Sequence, residues 1–454
     1  MKYNDYNPLS QKEILETPTA GKCFLYRIVP IVAWSGVVGI VVGILATLFN
    51  WILEESAALA VKIGNYMHTH TAWIPLYLAG MVGVAMFMYW FTKVLPEARG
   101  SGIPRTEAMM CGKKELRWWK LCVATFVGST VSFVSGIPVG AEGPSVQFGG
   151  GLGAGIESAS GSKGKHYIAN SGVAAGVASA FIAPYTGLVF AIEEVQRKFD
   201  PLMIMAGAVS VCYAYLMRLA VGGLLGMKTV FFAAQDLAAV PLRLIWIAIP
   251  IGIVAALVAR LFNASILTAD KCSAHSKLPR WISLLSLFGV VALCNLMIPD
   301  NIGSGSVIIN GILTNSYDWG ILLLLFVLKF ALVVWVFRAA PTGGMMVPML
   351  AIGTMLGALI GQVAVACGLP SEYVPMLALV TMAAFFGSCI KAPITVVALF
   401  AETTGRTDML ALAAVAIFVM QAVSVCLRQR ALYDTLWERD IHRTGEWRRY
   451  PNGI

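Results

Sequence analysis

A chain of 454 residues that is 58% hydrophobic and only 13% charged does not have the balance of a water-soluble protein, where about a quarter of residues are charged. The formal charge of +9 suggests nucleic acid at first sight. The basic residues, however, collect at the chain ends and between apolar runs, as in the positive-inside pattern of membrane proteins, so no nucleic-acid partner is expected.

Residues 1–28 carry both charge signs, with Lys2, Lys12, Lys22 and Arg27 among them. They read as a cytoplasmic N-terminal segment, not a cleavable signal. Charge-free runs follow at Val29–Leu53, Trp73–Thr92, Leu121–Ala141, Leu202–Met217, Leu244–Ala259, Ile282–Pro299, Ala339–Pro370 and Met409–Leu427. Several reach the roughly 20 residues that a spanning helix needs, and others are broken by Gly or Pro. The pattern predicts about ten or more membrane helices, several of them tilted or incomplete. Arg428, Arg430, Arg439, Arg443, Arg448 and Arg449 close the chain, placing both termini in the cytoplasm. The nine cysteines stand singly, most of them in apolar runs, and read as small buried hydrophobes.

The chain repeats itself. Gly100-Ser101-Gly102 returns as Gly303-Ser304-Gly305, and Pro138 and Gly140 return as Pro341 and Gly343. Ala183-Pro184-Tyr185-Thr186 returns as Ala392-Pro393-Ile394-Thr395, with Glu193 and Glu402 equally placed after the two prolines. These anchors divide the chain into a first membrane repeat, 29–225, a second, 226–427, and a cytoplasmic C-terminal segment, 428–454. They leave open whether the repeats run parallel or inverted. Transporters built from repeats bind their cargo near the midplane, where Gly/Pro-interrupted helices of both halves meet. Here those are residues 100–104, 138–149, 303–306 and 341–353.

A helix that begins in mid-membrane presents free N–H groups and a positive dipole end, and glycines let an anion approach. Gly100-Ser101-Gly102-Ile103-Pro104 adds a hydroxyl, and Gly343-Gly344-Met345-Met346-Val347-Pro348 adds amides walled by methionine. Neither segment holds a Lys or Arg, so an anion would be bound by dipoles and released again. Glu142, in Gly140-Ala141-Glu142-Gly143-Pro144, is the only charge between Lys120 and Glu157. Its carboxylate would take the place of an anion, and protonation would release it, so one group serves as gate and proton carrier. The alternative is a glutamate favourably set in a first helical turn. Glu193 and Glu194 end an apolar run; solvated charges at a helix end, or an inner proton station, both fit them. Tyr433 reads by itself as an aromatic-belt residue. No His-Glu-x-x-His occurs and no histidine lies in an apolar run, so neither an enzyme nor a metal site is expected.

These segments resemble the CLC family of chloride channels and transporters. Residues 100–104 match its GSGIP segment, 140–144 are similar to G(K/R)EGP, and 344–348 are similar to GxFxP with methionine for phenylalanine. The resemblance covers about residues 30 to 440. It implies an all-α polytopic membrane protein, an inverted repeat of tilted and broken helices, forming a homodimer in membrane lipid with one anion pathway per subunit. It further implies chloride–proton antiport with no cofactor, in a prokaryotic inner membrane. Ser101 and Tyr433 would offer hydroxyls to the anion, with Gly102, Ile103, Met345 and Met346 around it. Gly100, Pro104, Gly140, Gly143, Pro144, Gly344 and Pro348 would shape the selectivity segments. Glu142 would be the external gate, and Glu194, rather than Glu193, the internal proton glutamate. Ala141 departs from the usual basic residue and Met346 from the usual aromatic. A passive chloride channel and, less favoured, a fluoride–proton antiporter are the alternatives.

Overall fold

The computed structural model describes residues 28–111, 117–161, 166–197, 199–232, 234–276, 278–298, 303–314 and 317–444. The basic residues named at 2–27 and at 448–449 lie outside this set. Among the described residues the chain is helical, and nine helices are long and apolar enough to cross a membrane. This is a multi-pass membrane protein.

The first half opens with α1 (Val29–Thr69), 41 residues long with a proline at its start, and α2 (Ile74–Val94). Three shorter helices follow: α3 (Ile103–Met110), α4 (Trp118–Val134) and α5 (Glu142–Ala159). Then come α6 (Tyr167–Phe181), α7 (Pro184–Phe190) running into a π-helical turn (Ala191–Gln196), and α8 (Pro201–Leu224). The second half supplies α9 (Ala248–His275), α10 (Arg280–Met297), α11 (Ser306–Thr314), α12 (Trp319–Ala339), α13 (Met346–Ala366), α14 (Val374–Ile390), α15 (Pro393–Thr404) and α16 (Leu410–Cys426). A final helix, α17 (Leu432–Thr444), carries Tyr433 in its first turn.

The halves match in detail. In the first, α5 packs along α6; in the second, α13 packs along α14. Ile182, which ends α6, and Lys391, which ends α14, both have positive φ (57° and 64°). Gly100 and Gly303 share that feature (75° and 63°), as do Gly102 and Gly305 (81° and 98°). The orientation left open by the sequence is decided by α7 and α15. Glu193, in the turn that ends α7, accepts the amides of Ile394 and Thr395 at the start of α15 (3.2 and 2.7 Å). Glu402, near the end of α15, accepts those of Tyr185 and Thr186 at the start of α7 (2.9 and 2.7 Å). Each helix therefore ends where the other begins, so two equivalent helices run antiparallel and the repeats are inverted.

The apolar core explains why so little charge is needed. One large cluster runs from Ile103 through α6, α13 and α14 to Tyr433, and a second joins Phe49 and Phe133 to Phe288 and Val336. The exposed large side chains, such as Trp90, Leu257, Leu324 and Phe418, stand on the spanning helices. Cys122 and Cys389 are buried as expected, but Cys212 and Cys426 lie on that outer surface. A small thiol suits the outer face of a spanning helix as well as an internal position, so its place in an apolar run does not fix its burial.

Candidate ion pathway

Three chain breaks meet at the centre of the molecule. The amide of Gly100 donates to Pro341 O (3.0 Å) and that of Gly343 to Gly100 O (3.2 Å). Gly140 and Gly344 exchange both amide bonds, at 2.7 and 2.8 Å. These pairs satisfy backbone groups that would otherwise be stranded in a membrane, where broken helices are tolerated only inside protein. They also draw the starts of α3, α5 and α13 together. Glycine is required twice over: Gly102 turns the chain into α3 at φ 81°, and a Cβ on Gly143 would strike the Ser101 carbonyl and come within 2.8 Å of Gly344 Cα. Pro104 sits in the first turn of α3, where its missing N–H costs nothing.

Glu142 lies in the first turn of α5 and is 2% exposed. Its carboxylate leans back over Gly140 toward Pro348 and the amide of Val347: a Cβ at Gly140 would meet Oε2 and stand 3.3 Å from both neighbours. The side chain from the first repeat thus covers the N-terminus of α13 in the second, while Oε2 itself has no protein hydrogen bond. Pro144, Met345, Met346 and Pro348 are buried beside it. Ser101 is buried with no protein partner for its hydroxyl, and so is Tyr433, which is 0% exposed. A buried, unpartnered polar atom is uncommon, and three of them belong to segments gathered here. Tyr433 is therefore no aromatic-belt residue. Ile103, Met345, Met346 and Tyr433 share one apolar cluster, and Tyr433 is within electrostatic reach of both Glu142 and Glu194.

Glu193 and Glu194 occupy the π-helical turn but face opposite ways. Glu193 is half-buried against α15, and Glu194 is 2% exposed. Arg197 holds Glu194 from the next turn, with Nη2 3.6 Å from Oε2 and Nε donating to the Glu194 carbonyl at 3.1 Å. Arg197 also pairs with Asp434, the neighbour of Tyr433. Glu107 was not anticipated from the sequence. It is 2% exposed, neither of its oxygens has a protein partner, and Glu194, Asp434 and Arg197 lie within electrostatic reach. Its place four residues after Ile103, which opens α3, is the only sequence signal that it points inward along that short helix. Among the described residues no cluster of His, Cys, Asp or Glu could hold a metal ion.

Helix starts gathered inside a membrane around buried hydroxyls and a lone carboxylate define an ion-transport protein. The sequence profile described as Voltage gated chloride channel matches residues 83–425, and the chain belongs to that family, the CLC transport proteins. A curated relative, the H(+)/Cl(-) exchange transporter ClcA of Citrobacter koseri, is 27% identical over 422 residues, covering 90% of this chain and 88% of the relative. Among solved structures, a slow cyanobacterial Cl-/H+ antiporter aligns with a TM-score of 0.84 at 22% identity, covering 92% of this chain and 99% of that one. A CLC-type fluoride/proton antiporter aligns at 0.73 and 20% identity, covering 90% and 98%. At these identities the two structures establish the shared fold.

Proposed function

We propose that the protein exchanges chloride for protons across a membrane, as a homodimer with one pathway in each subunit and both termini in the cytoplasm of a prokaryotic cell. The observation that carries this reading is the seat of the Glu142 carboxylate over the N-terminus of α13. An N-terminus with free amides binds anions, and a carboxylate placed there competes for the same spot. Chloride and a charged Glu142 then exclude each other. Protonation removes the charge, lets the side chain leave, and couples the two ions.

Ser101 and Tyr433 fit hydroxyl donors to an anion one step further in, because both hydroxyls are buried with no protein acceptor. Glycines and dipoles, with no lysine or arginine in the segments, suit an ion that must be released as readily as it is bound. Glu194 fits the inner proton station: it is buried, lies within electrostatic reach of Tyr433, and is connected by Arg197 to the surface. Relatives that exchange Cl- for H+ support chloride as the anion. Against a passive pore stands the buried glutamate at position 194, an inner proton station that a channel does not need.

The test is purified protein in liposomes with an imposed chloride gradient, potassium and valinomycin setting the voltage, and chloride and protons recorded together. The expected result is proton uptake against its own gradient. Chloride flux with no proton movement would instead make the protein a channel, and flux of fluoride without chloride would make it a fluoride antiporter.

A further inference from the structure

The two glutamates that cap each other's helices are equivalent by repeat, but their settings differ. Glu193 accepts three hydrogen bonds from α15: the amides of Ile394 and Thr395 and the Thr395 hydroxyl, the last two at 2.7 Å. Glu402 accepts the same three from α7: the amides of Tyr185 and Thr186 and the Thr186 hydroxyl, the last two again at 2.7 Å. As helix caps the two are interchangeable.

Their neighbours in the chain are not. Glu402 belongs to a regular α-helix, and the next residue, Thr403, turns its hydroxyl back to the Leu399 carbonyl at 2.5 Å. Glu193 lies within the π-helical turn Ala191–Gln196, and the next residue is Glu194, buried with Oε1 unpartnered. A π-turn fits one more residue into its circuit than an α-turn. It is seldom stable in isolation and recurs at functional sites. Reversion to α-helical spacing would swing residue 194 around the helix axis by one residue's rotation. The turn is held on one side by Arg197 and by the Gln196 amide, which donates to Met110 O at 3.4 Å. On the other side its anchor is Glu193.

We infer that Glu193 is a positioning residue for proton transfer: bound to the start of α15, it holds the π-helical turn in the register that aims Glu194 inward. This rests on the proposal that Glu194 carries protons. A cap is worth about a fivefold change in population. Glu193→Ala is therefore expected to lower the proton-to-chloride ratio by up to about fivefold while chloride flux stays within about twofold. Glu402→Ala loses the same three bonds next to Thr403 and is expected to leave the ratio unchanged.

Two readouts test this in the full-length protein. The first is coupled flux in liposomes for wild type, Glu193→Ala and Glu402→Ala. The second is hydrogen exchange of the amides of 191–197, expected to quicken about fivefold in Glu193→Ala and to stay slow in Glu402→Ala. Chloride flux shows that each variant is folded, and Glu193→Gln, which keeps one acceptor oxygen, replaces the alanine if that variant does not assemble. Unchanged exchange in 191–197 overturns the anchor, even if the wild type proves to move chloride alone. Equal loss of coupling in Glu193→Ala and Glu402→Ala also overturns it, since both would then be plain helix caps. A wild type with no coupling, but with the expected change in exchange, sinks the antiport reading and leaves the anchor standing.

Discussion

The two repeats share a scaffold and divide the chemistry. Backbone features recur in both: positive φ at Gly100 and Gly303, at Gly102 and Gly305, and at Ile182 and Lys391, together with the reciprocal caps of Glu193 and Glu402. The carboxylates at 142 and 194 do not recur. Glu142 in the first repeat is matched by Met345 in the second, and Glu194 by Thr403. Ser101 keeps a buried, unpartnered hydroxyl, while Ser304 is partly exposed with its hydroxyl 3.3 Å from that of Ser306. Conversely Phe126 is matched by Lys329, fully buried in α12, whose ammonium donates to the Gly303 carbonyl at 2.7 Å. Duplication can supply paired helix starts, but an antiporter needs a direction. Here Glu142 and Glu194 stand in the first repeat, and the second supplies the amides at the start of α13.

The sharpest way to break this division is at Glu142. Glu142→Gln keeps the shape and removes the proton, so proton transport is expected to fall below detection while chloride flux persists and no longer varies with pH. Met345→Leu changes a wall and no charge, and both ions should move at near the wild-type rate. Glu194→Gln is next: proton transport drops by about 10²-fold or more, the usual contribution of a proton-transfer group, with chloride flux retained. Its repeat partner, Thr403→Val, loses one hydroxyl bond within its own helix and should leave the coupling ratio as it was. A loss of coupling in Thr403→Val would show that the second repeat carries protons too.

A smaller effect is expected where the repeats touch. Gly143→Ala places a methyl against the Ser101 carbonyl and Gly344 Cα, both of them backbone. The three helix starts must separate by part of an ångström, and misplacements of about 1 Å cost about 10²-fold in well-aligned sites. About a tenfold fall in chloride flux is expected, measured at equal protein density. Gly80→Ala, at a position with open space around it, is the matched control and should not change the flux.

The broken-helix segments were more legible in the sequence than the fold around them. Glycine, proline and a lone charge in apolar surroundings are rare enough to be noticed, so residues 100–104, 138–149, 303–306 and 341–353 stand out from the sequence alone; the starts of α3, α5 and α13 do meet, while Ser304 is partly exposed. Inversion does not, because it is a relation between directions in space and a repeat offset has none. It took the crossed hydrogen bonds of Glu193 and Glu402 to establish it. Tyr433 was also misjudged by physics alone, since a tyrosine after a last span can sit at an interface or turn inward, and here it is fully buried. Glu107 escaped because it lies beyond the apolar run, beside Arg105, in what looks like a polar loop. Its burial depends on α3 being a short helix directed into the protein, which composition does not reveal.

The smallest effect belongs to Ala141. It caps α5 directly before Glu142 and is half-buried against the apolar cluster of Phe133, Ile137 and Val139. The first repeat thus begins α5 on an apolar residue, where the family segment it resembles has a Lys or Arg. Ala141→Arg can lay its methylenes along the apolar wall and keep its guanidinium in water. A single added charge at the mouth should raise chloride capture by about threefold at low ionic strength. The gain should vanish in about 1 M salt, where the screening length shrinks to about 3 Å. The same charge favours the ionised form of Glu142, so the flux should retain its dependence on pH down to more acidic conditions than in the wild type. Flux that matches wild type in rate, salt dependence and pH dependence would mean that capture is not limited at this mouth, and that the missing cation has no bearing on how the two repeats share the anion.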